Sequence, residues 1–121
     1  MIEDKLRRAA ATQIDPLGAF CRRLIQTPSP PGAEGAVAAL VQQEMMALGY
    51  DDVQIDAAGN VIGCIRGGGG KRLMLNTHLD HVDPGSLERW PVPPFSGAIL
   101  DGAVWGRGAM DTKGKLVALC E

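Results

Sequence analysis

Hydrophobic residues recur at helical spacing twice within the first 48 residues of the chain. Residues 1–13, charged and then rich in alanine, are compatible with a first helix. Asp15 and Pro16 then predict a new helix, because Asp caps helix N-termini and Pro suits the first helical position. The proline-rich run at residues 27–32 ends this helix. Its apolar face consists of Leu17, Phe20, Cys21, Leu24 and Ile25.

A further helix is predicted over Glu34–Leu48, where a single stripe is apolar. Gly49 follows at once and supplies a C-terminal stop. The stripe consists of Val37, Leu40, Val41, Met45 and Leu48.

The pattern then changes from helical spacing to the alternation of strands. Residues 53–55 and 61–65 flank a turn at 58–60 and predict a hairpin. Residues 72–77 are apolar enough to predict a central strand of a sheet.

A long loop with four prolines at residues 81–96 separates that strand from the last elements. Asp101-Gly102, between two short apolar runs, predicts the turn of a second hairpin. Residues 112–121 begin another helix. Because helices lie on either side of strands, we predict an α/β layered domain.

Composition and charge narrow the classes of function. The 121 residues are 45% hydrophobic and 21% charged, as in a globular domain, and the core is expected to be aliphatic. A net charge of −2 provides no basic surface for nucleic acid or an anionic membrane. Cys21, Cys64 and Cys120 include no Cys-x-x-Cys pair, and the N-terminus has no apolar signal segment. We therefore expect a cytoplasmic protein that binds neither nucleic acid nor membrane.

His78 and Asp80 are the first candidates for chemistry, because ligand sites in α/β sheets gather beyond strand ends. Residues two apart in extended chain point the same way, so the two side chains are expected to face one site. A neutral imidazole binds zinc, and a nearby carboxylate fixes its tautomer. The alternative is a histidine that only hydrogen-bonds a loop, since His-x-Asp alone is a weak motif.

Asp111 is the second candidate, within the glycine-rich residues 106–114. Glycine allows close backbone approach, and the two oxygens of one carboxylate can bridge two cations. The alternative is that Asp111 only caps the following helix. Gly108 and Gly114 are one residue too far apart for a Walker loop, and Asp111 stands where a dinucleotide-binding loop needs glycine. Nucleotide binding is therefore disfavoured.

These motifs follow one another in a specific order. They are residues 75–85, Trp90, Pro94-Phe95, Gly97, Asp101-Gly102 and residues 106–114. Their order and spacing resemble the dizinc metallopeptidase family, which includes acetylornithine deacetylase, succinyl-diaminopimelate desuccinylase, aminoacylase and peptidase T-like enzymes. The resemblance covers nearly the whole chain but only the first part of the family's length.

The resemblance implies roles for three side chains. His78 would ligate one metal ion and Asp111 would bridge two, while Asp80 matches a catalytic acid that tunes the site without being a ligand. The two metal ions are zinc, or cobalt or manganese in some members; they activate a bridging water, and a glutamate acts as general base. The family also implies a cis peptide bond between Asp111 and Thr112.

The implied fold is a three-layer αβα zinc-peptidase-like catalytic domain with a mixed sheet, of which residues 1–121 would be the N-terminal portion. The family's Glu-Glu pair, later acidic ligand and late histidine match nothing in this sequence. Its lid or dimerisation domain, which makes a homodimer the candidate state of an intact protein, is also absent. We therefore expect a truncated and inactive piece of a hydrolase that cleaves an amide or peptide bond in an N-acyl amino acid or small peptide.

A second hypothesis is a non-catalytic module that binds a metal weakly or pairs with a partner chain. Such a module should melt cooperatively, whereas a truncated domain should expose sheet edges and aggregate.

Four residues near the motifs allow smaller predictions. Lys115 stands where the family usually has a small residue. His81 has no visible partner, so we predict a solvated loop histidine, with substrate contact as the alternative. Trp90 and Phe95 are predicted to anchor the loop, with a substrate wall as the alternative.

Overall fold

The computed structural model describes all 121 residues and contains four α-helices and two β-hairpins. A 3₁₀ turn at Leu87–Arg89 interrupts the long loop between the hairpins, and a helical turn at Ala109–Lys113 leads into the last helix. In chain order the elements are α1 (Ile2–Thr12), α2 (Ile14–Ile25), α3 (Gly35–Ala47), β1 (Asp52–Ile55), β2 (Val61–Cys64), β3 (Ile99–Leu100), β4 (Ala103–Val104) and α4 (Gly114–Cys120). The chain is thus a small α/β protein, as predicted. None of its helices combines the length and apolar character needed to cross a membrane.

The predicted apolar face of α2 is confirmed, but its predicted start is wrong. Phe20, Leu24 and Ile25 are buried on that face. The helix begins at Ile14, and no side chain caps its N-terminus. Because α1 ends just before it, only one residue separates the two helices, and Asp15 lies inside the first turn of α2 rather than at its cap.

Helix α3 and its stop also follow the sequence pattern. It lies within the predicted range, and Val37 and Val41 of its apolar stripe are fully buried. Gly49 adopts a φ of +82°, which favours glycine, and its N–H donates to the Met46 carbonyl. Leu48, which the stripe included, is exposed.

Both predicted hairpins form as separate two-stranded antiparallel sheets. In the first, Asp52 pairs with Cys64 and Ile55 with Val61. In the second, Asp101 and Gly102 have φ values of +51° and +75°, the left-handed conformations that a tight hairpin turn requires.

The central strand predicted at residues 72–77 is absent, and this prediction is wrong for the chain as it stands. No strand pairs with this segment, and Leu73 and Met74 remain 86% and 85% exposed. A strand exists only through hydrogen bonds to a neighbour, so an apolar pattern alone does not create one. The three-layer arrangement around a mixed sheet therefore stays a prediction.

The core lies where α2, α3 and α4 meet, and it is mostly aliphatic as expected. Its members are Phe20, Cys21, Leu24, Ile25, Val37, Val41, Leu116, Val117 and Cys120. Helix α1, in contrast, has no buried residue. Because α4 packs on α2, the turn that precedes α4 is brought to the C-terminal end of α2.

The aromatic residues of the long loop anchor it, as predicted. Trp90 Nε1 donates a hydrogen bond to the Pro84 carbonyl at 3.0 Å. The Arg107 guanidinium lies over the Trp90 ring, 5.0 Å from its centroid. Phe95 packs against the His81 ring with centroids 5.2 Å apart.

Replacing Gly106 by alanine should destabilise the protein. A Cβ at Gly106 would overlap Ile25 Cγ2 and lie 2.9 Å from the Pro94 carbonyl oxygen. Overpacking of this kind costs about 1–3 kcal/mol. We expect the urea midpoint of unfolding to fall accordingly.

Gly18→Ala is the matched control. Nothing lies within 4 Å of a Cβ at Gly18. This glycine is inside α2, where alanine favours the helix by about 1 kcal/mol. Its midpoint should therefore stay or rise, and an unchanged midpoint for Gly106→Ala would contradict the packing described.

Candidate functional site

The His78 imidazole contacts Asp80 on one side and Asp111 on the other. Its Nδ1 lies 3.0 Å from Asp80 Oδ1 and 3.2 Å from the Asp80 carbonyl oxygen. Its Nε2 lies 3.0 Å from Asp111 Oδ1. The structure therefore brings together the three residues that the sequence nominates, although His78 and Asp111 are 33 positions apart.

Asp111 reaches His78 from the turn before α4. Its backbone is not helical, with φ −126° and ψ +86°, and the Asp111–Thr112 peptide bond is cis, as the family resemblance predicts. No side chain caps α4, so the alternative in which Asp111 only caps that helix is wrong. The Asp111 side chain is 81% exposed and open to a ligand.

Both ring nitrogens of His78 face acceptors. Nδ1 contacts two oxygens of Asp80, and Nε2 contacts Asp111 Oδ1. A neutral imidazole donates from only one nitrogen, so one of these contacts places a lone pair opposite an acceptor. When Nδ1 carries the hydrogen, the Nε2 lone pair faces Asp111, and either a proton or a metal ion between them satisfies the contact.

The donor set fits part of a zinc shell. Imidazole nitrogen and carboxylate oxygen both bind zinc, and two such ligands of one tetrahedral ion stand roughly 3.3 Å apart. The observed 3.0 Å between Nε2 and Oδ1 is close to that separation. However, no group of three or more His, Cys, Asp or Glu side chains is arranged so that it could hold a metal ion. His78 and Asp111 therefore supply two ligands and leave the rest of a shell open.

His81 is not the solvated loop histidine that the sequence predicts. It is only 4% exposed, and its Nε2 accepts a hydrogen bond from the Ser29 backbone N–H at 2.8 Å. Because Nε2 accepts, the hydrogen is on Nδ1, which donates to the Val82 carbonyl at 2.9 Å. The buried His81 ring thus hydrogen-bonds Ser29 and Val82 and does not line the site.

Lys113 is a buried residue that no sequence pattern identifies as functional. Its side chain is fully buried, and Nζ donates to the Leu24 and Thr27 carbonyls at 2.6 and 2.8 Å. Burial lowers the pKa of Lys113 to about 8, against a smaller opposing effect of the Cys21 thiol. No local signal marks this lysine, because its partners precede it by 89 and 86 residues.

A cleft of about 690 Å³ opens beside the His78–Asp111 pair. Thr77 and Thr112 line it, as does Lys115 from the first turn of α4. Lys115 is exposed and makes no hydrogen bond or ion pair with the rest of the chain. The cleft therefore places an unpaired positive charge near the two candidate ligands.

Comparison with known proteins gives a family likeness in the same region. Residues 74–121, which include all three candidate residues, match the profile of Peptidase family M20/M25/M40. "Uncharacterized protein YgeY" of Escherichia coli (strain K12) is 32% identical over 114 residues, 94% of this chain and 28% of YgeY. The protein of the same name from Escherichia coli O157:H7 matches to the same extent. The chain thus spans less than a third of the length of these relatives, and its likeness is to a family of peptidases.

Lys113 should make stability depend on pH in a way that a Lys113→Met variant does not. An unfolded lysine keeps its proton to about pH 10.4, whereas the buried lysine loses it near pH 8. The unfolded chain therefore binds more protons between these values, and stability rises with pH. Relative to the variant, we expect the parent to gain roughly 1 kcal/mol in free energy of unfolding between pH 7 and 9.

Urea unfolding at a series of pH values measures this difference, with Lys71→Met as control for an exposed lysine. Parallel curves for the parent and Lys113→Met would show that Lys113 does not titrate in this window.

Proposed function

We propose that residues 1–121 form the N-terminal portion of the catalytic domain of a metal-dependent hydrolase of Peptidase family M20/M25/M40. One observation carries the proposal: His78 Nε2 faces Asp111 Oδ1 at 3.0 Å while Nδ1 is held by Asp80. With the hydrogen on Nδ1, an imidazole lone pair and a carboxylate oxygen face each other, and both are groups that bind zinc. The match of residues 74–121 to the peptidase family supports the same assignment.

In this proposal each of the three side chains has one task. His78 Nε2 and Asp111 hold the metal ion, which is zinc, with cobalt or manganese as alternatives. Asp80 keeps the hydrogen on Nδ1 and fixes the orientation of the ring, as a carboxylate behind a metal-bound histidine does. A bound metal ion would supply Lewis-acid chemistry, which lowers the pKa of water and polarises an amide carbonyl.

The proposed substrate is an N-acyl amino acid or a small peptide, cleaved at its amide bond. Such a molecule carries a carboxylate, and Lys115 presents an unpaired ammonium in the cleft beside His78 and Asp111. The general base and the remaining metal ligands would come from residues other than His78, Asp80 and Asp111. We therefore expect the 121-residue chain to be inactive by itself. A homodimeric, cytoplasmic intact protein remains part of the proposal.

The second candidate function is a non-catalytic module that binds a metal or pairs with another chain. Two observations favour this module. Only two candidate metal ligands, His78 and Asp111, face each other, so the ligand set of a metal ion is incomplete. The apolar residues Leu73 and Met74 are exposed, as in a surface that pairs with another chain. The two candidate functions differ in the role of the cleft beside the metal ion: it binds substrate in the hydrolase and has no substrate in the module.

Zinc binding should depend on all three side chains. We expect His78→Ala and Asp111→Asn, which each remove a ligand, to lower Zn²⁺ affinity more than tenfold. Asp80→Asn should lower the affinity by about 10–100-fold, as loss of a carboxylate behind a ligand does. Competition with a chromophoric chelator measures these affinities.

Asp101→Asn is the matched control, because this carboxylate lies at a hairpin tip and asparagine tolerates its positive φ. It should bind zinc as the parent does. If all four variants bind zinc with the parent's affinity, the proposed metal site is wrong.

Ligand binding to the zinc-loaded chain separates the hydrolase from the module. A substrate-binding cleft should bind N-acetyl amino acids more tightly than the corresponding uncharged amides, because Lys115 attracts the carboxylate. Lys115→Ala should abolish this preference, and Lys71→Ala should not. Isothermal titration calorimetry measures both, and equal binding of acids and amides by the parent would favour the module.

A further inference from the structure

We propose that one short segment, the α2 end (residues 24–29), positions both the segment that carries His78 and the turn that carries Asp111. Ser29, His81 and Lys113 are then positioning residues for the metal ligands. The inference rests on the proposed function, because it assumes that His78 and Asp111 bind a metal ion. Neither Ser29 nor His81 nor Lys113 contacts that pair directly. Each acts on the backbone that carries His78 or Asp111.

Three hydrogen bonds connect the segment after His78 to Ser29. The His81 N–H donates to the Ser29 carbonyl at 3.1 Å, and the Ser29 N–H donates to His81 Nε2 at 2.8 Å. Ser29 Oγ donates to the Leu79 carbonyl at 2.8 Å. Ser29 and His81 are 0% and 4% exposed, so these bonds are protected from water. They fix the backbone from one to three residues after His78.

Lys113 connects the turn that carries Asp111 to the α2 end. Lys113 Nζ donates to the Leu24 and Thr27 carbonyls at the end of α2, and the Leu24 carbonyl also accepts from the Thr27 N–H at 3.2 Å. The Lys113 N–H closes the turn by donating to the Gly108 carbonyl at 2.8 Å. These bonds fix the backbone two residues after Asp111.

The segment that carries His78 and the turn that carries Asp111 also contact each other directly. A Cβ at Gly108 would lie 3.2 Å from His81 Cβ, so the two backbones are packed closely. Thr77 Oγ1 and Thr112 Oγ1, one residue before His78 and one after Asp111, are 3.3 Å apart. The two segments that carry the candidate ligands are therefore in contact both at Gly108 and His81 and at Thr77 and Thr112.

Apart from their contacts with Asp80 and with each other, the two ligand side chains have little to hold them. The His78 side chain is 49% exposed and that of Asp111 is 81% exposed, so no surrounding core fixes their positions. Their separation consequently follows from where the two backbones are placed. A site of this kind loses affinity when its supporting contacts shift by about 1 Å.

The test compares metal affinity with stability in the same variants, using Co²⁺, whose visible spectrum reports coordination. Ser29→Ala removes only the bond to the Leu79 carbonyl, and His81→Leu removes the acceptor for the Ser29 N–H. Both should weaken Co²⁺ and Zn²⁺ binding about tenfold or more and alter the Co²⁺ spectrum. His81→Gln, whose amide oxygen replaces the acceptor, should restore affinity to within about threefold of the parent's.

Val41→Ala is the control for a purely structural effect, because Val41 is a buried core residue of α3 whose side chain makes none of the hydrogen bonds described above. It should lower the unfolding midpoint while leaving metal affinity and the Co²⁺ spectrum unchanged. All measurements are made at a temperature where circular dichroism shows each variant folded. If His81→Leu does not fold, Ser29→Ala decides the question.

Two results would overturn the inference alone: parent-like metal binding by Ser29→Ala, or an equal loss of affinity in Val41→Ala. If the parent itself binds neither metal, the proposed function fails and the inference falls with it. The parent's own titration therefore distinguishes the two failures.

Discussion

The buried ammonium of Lys113 at the C-terminal end of α2 is the contact on which the arrangement of the chain depends. A lysine without exposed surface is costly, and here the cost is offset by two carbonyl partners at a helix end, where the helix dipole favours positive charge. The contact joins the helical first half of the chain to the turn that carries Asp111. Packing of Leu116 and Val117 of α4 into the core reinforces the same connection.

The site itself is a polar surface feature placed on that apolar support. His78, Asp80 and Asp111 are not held by packing but by one another and by the backbones beneath them. In the proposed site the Asp80 carboxylate holds the hydrogen on Nδ1, so that the Nε2 lone pair faces Asp111. A cation between Nε2 and Asp111 would then be bound by both groups.

Sequence patterns predicted the local features well and the long-range ones poorly. Helix α3, its stop at Gly49 and the Asp101-Gly102 turn were predictable because each depends on neighbouring residues. The strand expected at residues 72–77 did not form, since strand pairing depends on a partner that the segment does not find. The burial of His81 was missed for the same reason, because its partner Ser29 lies 52 residues earlier.

The candidate site was predictable to a different extent. The meeting of His78, Asp80 and Asp111 was expected from motif spacing and family resemblance together, and the geometry agrees with it. The particular atoms that face each other could not be predicted, because their positions follow from hydrogen bonds of the folded chain. The contribution of Ser29 and Lys113 was also invisible, since a serine among prolines and a lysine in a polar motif both suggest exposed positions.

X-ray absorption at the zinc edge of the zinc-loaded chain identifies the atoms bound to the metal, and so decides whether His78 and Asp111 hold it. We predict one imidazole nitrogen and only oxygen ligands besides it, all at about 2.0–2.2 Å. Sulfur scattering at about 2.3 Å, which would place zinc on the cysteines, or the absence of an imidazole signal would contradict it.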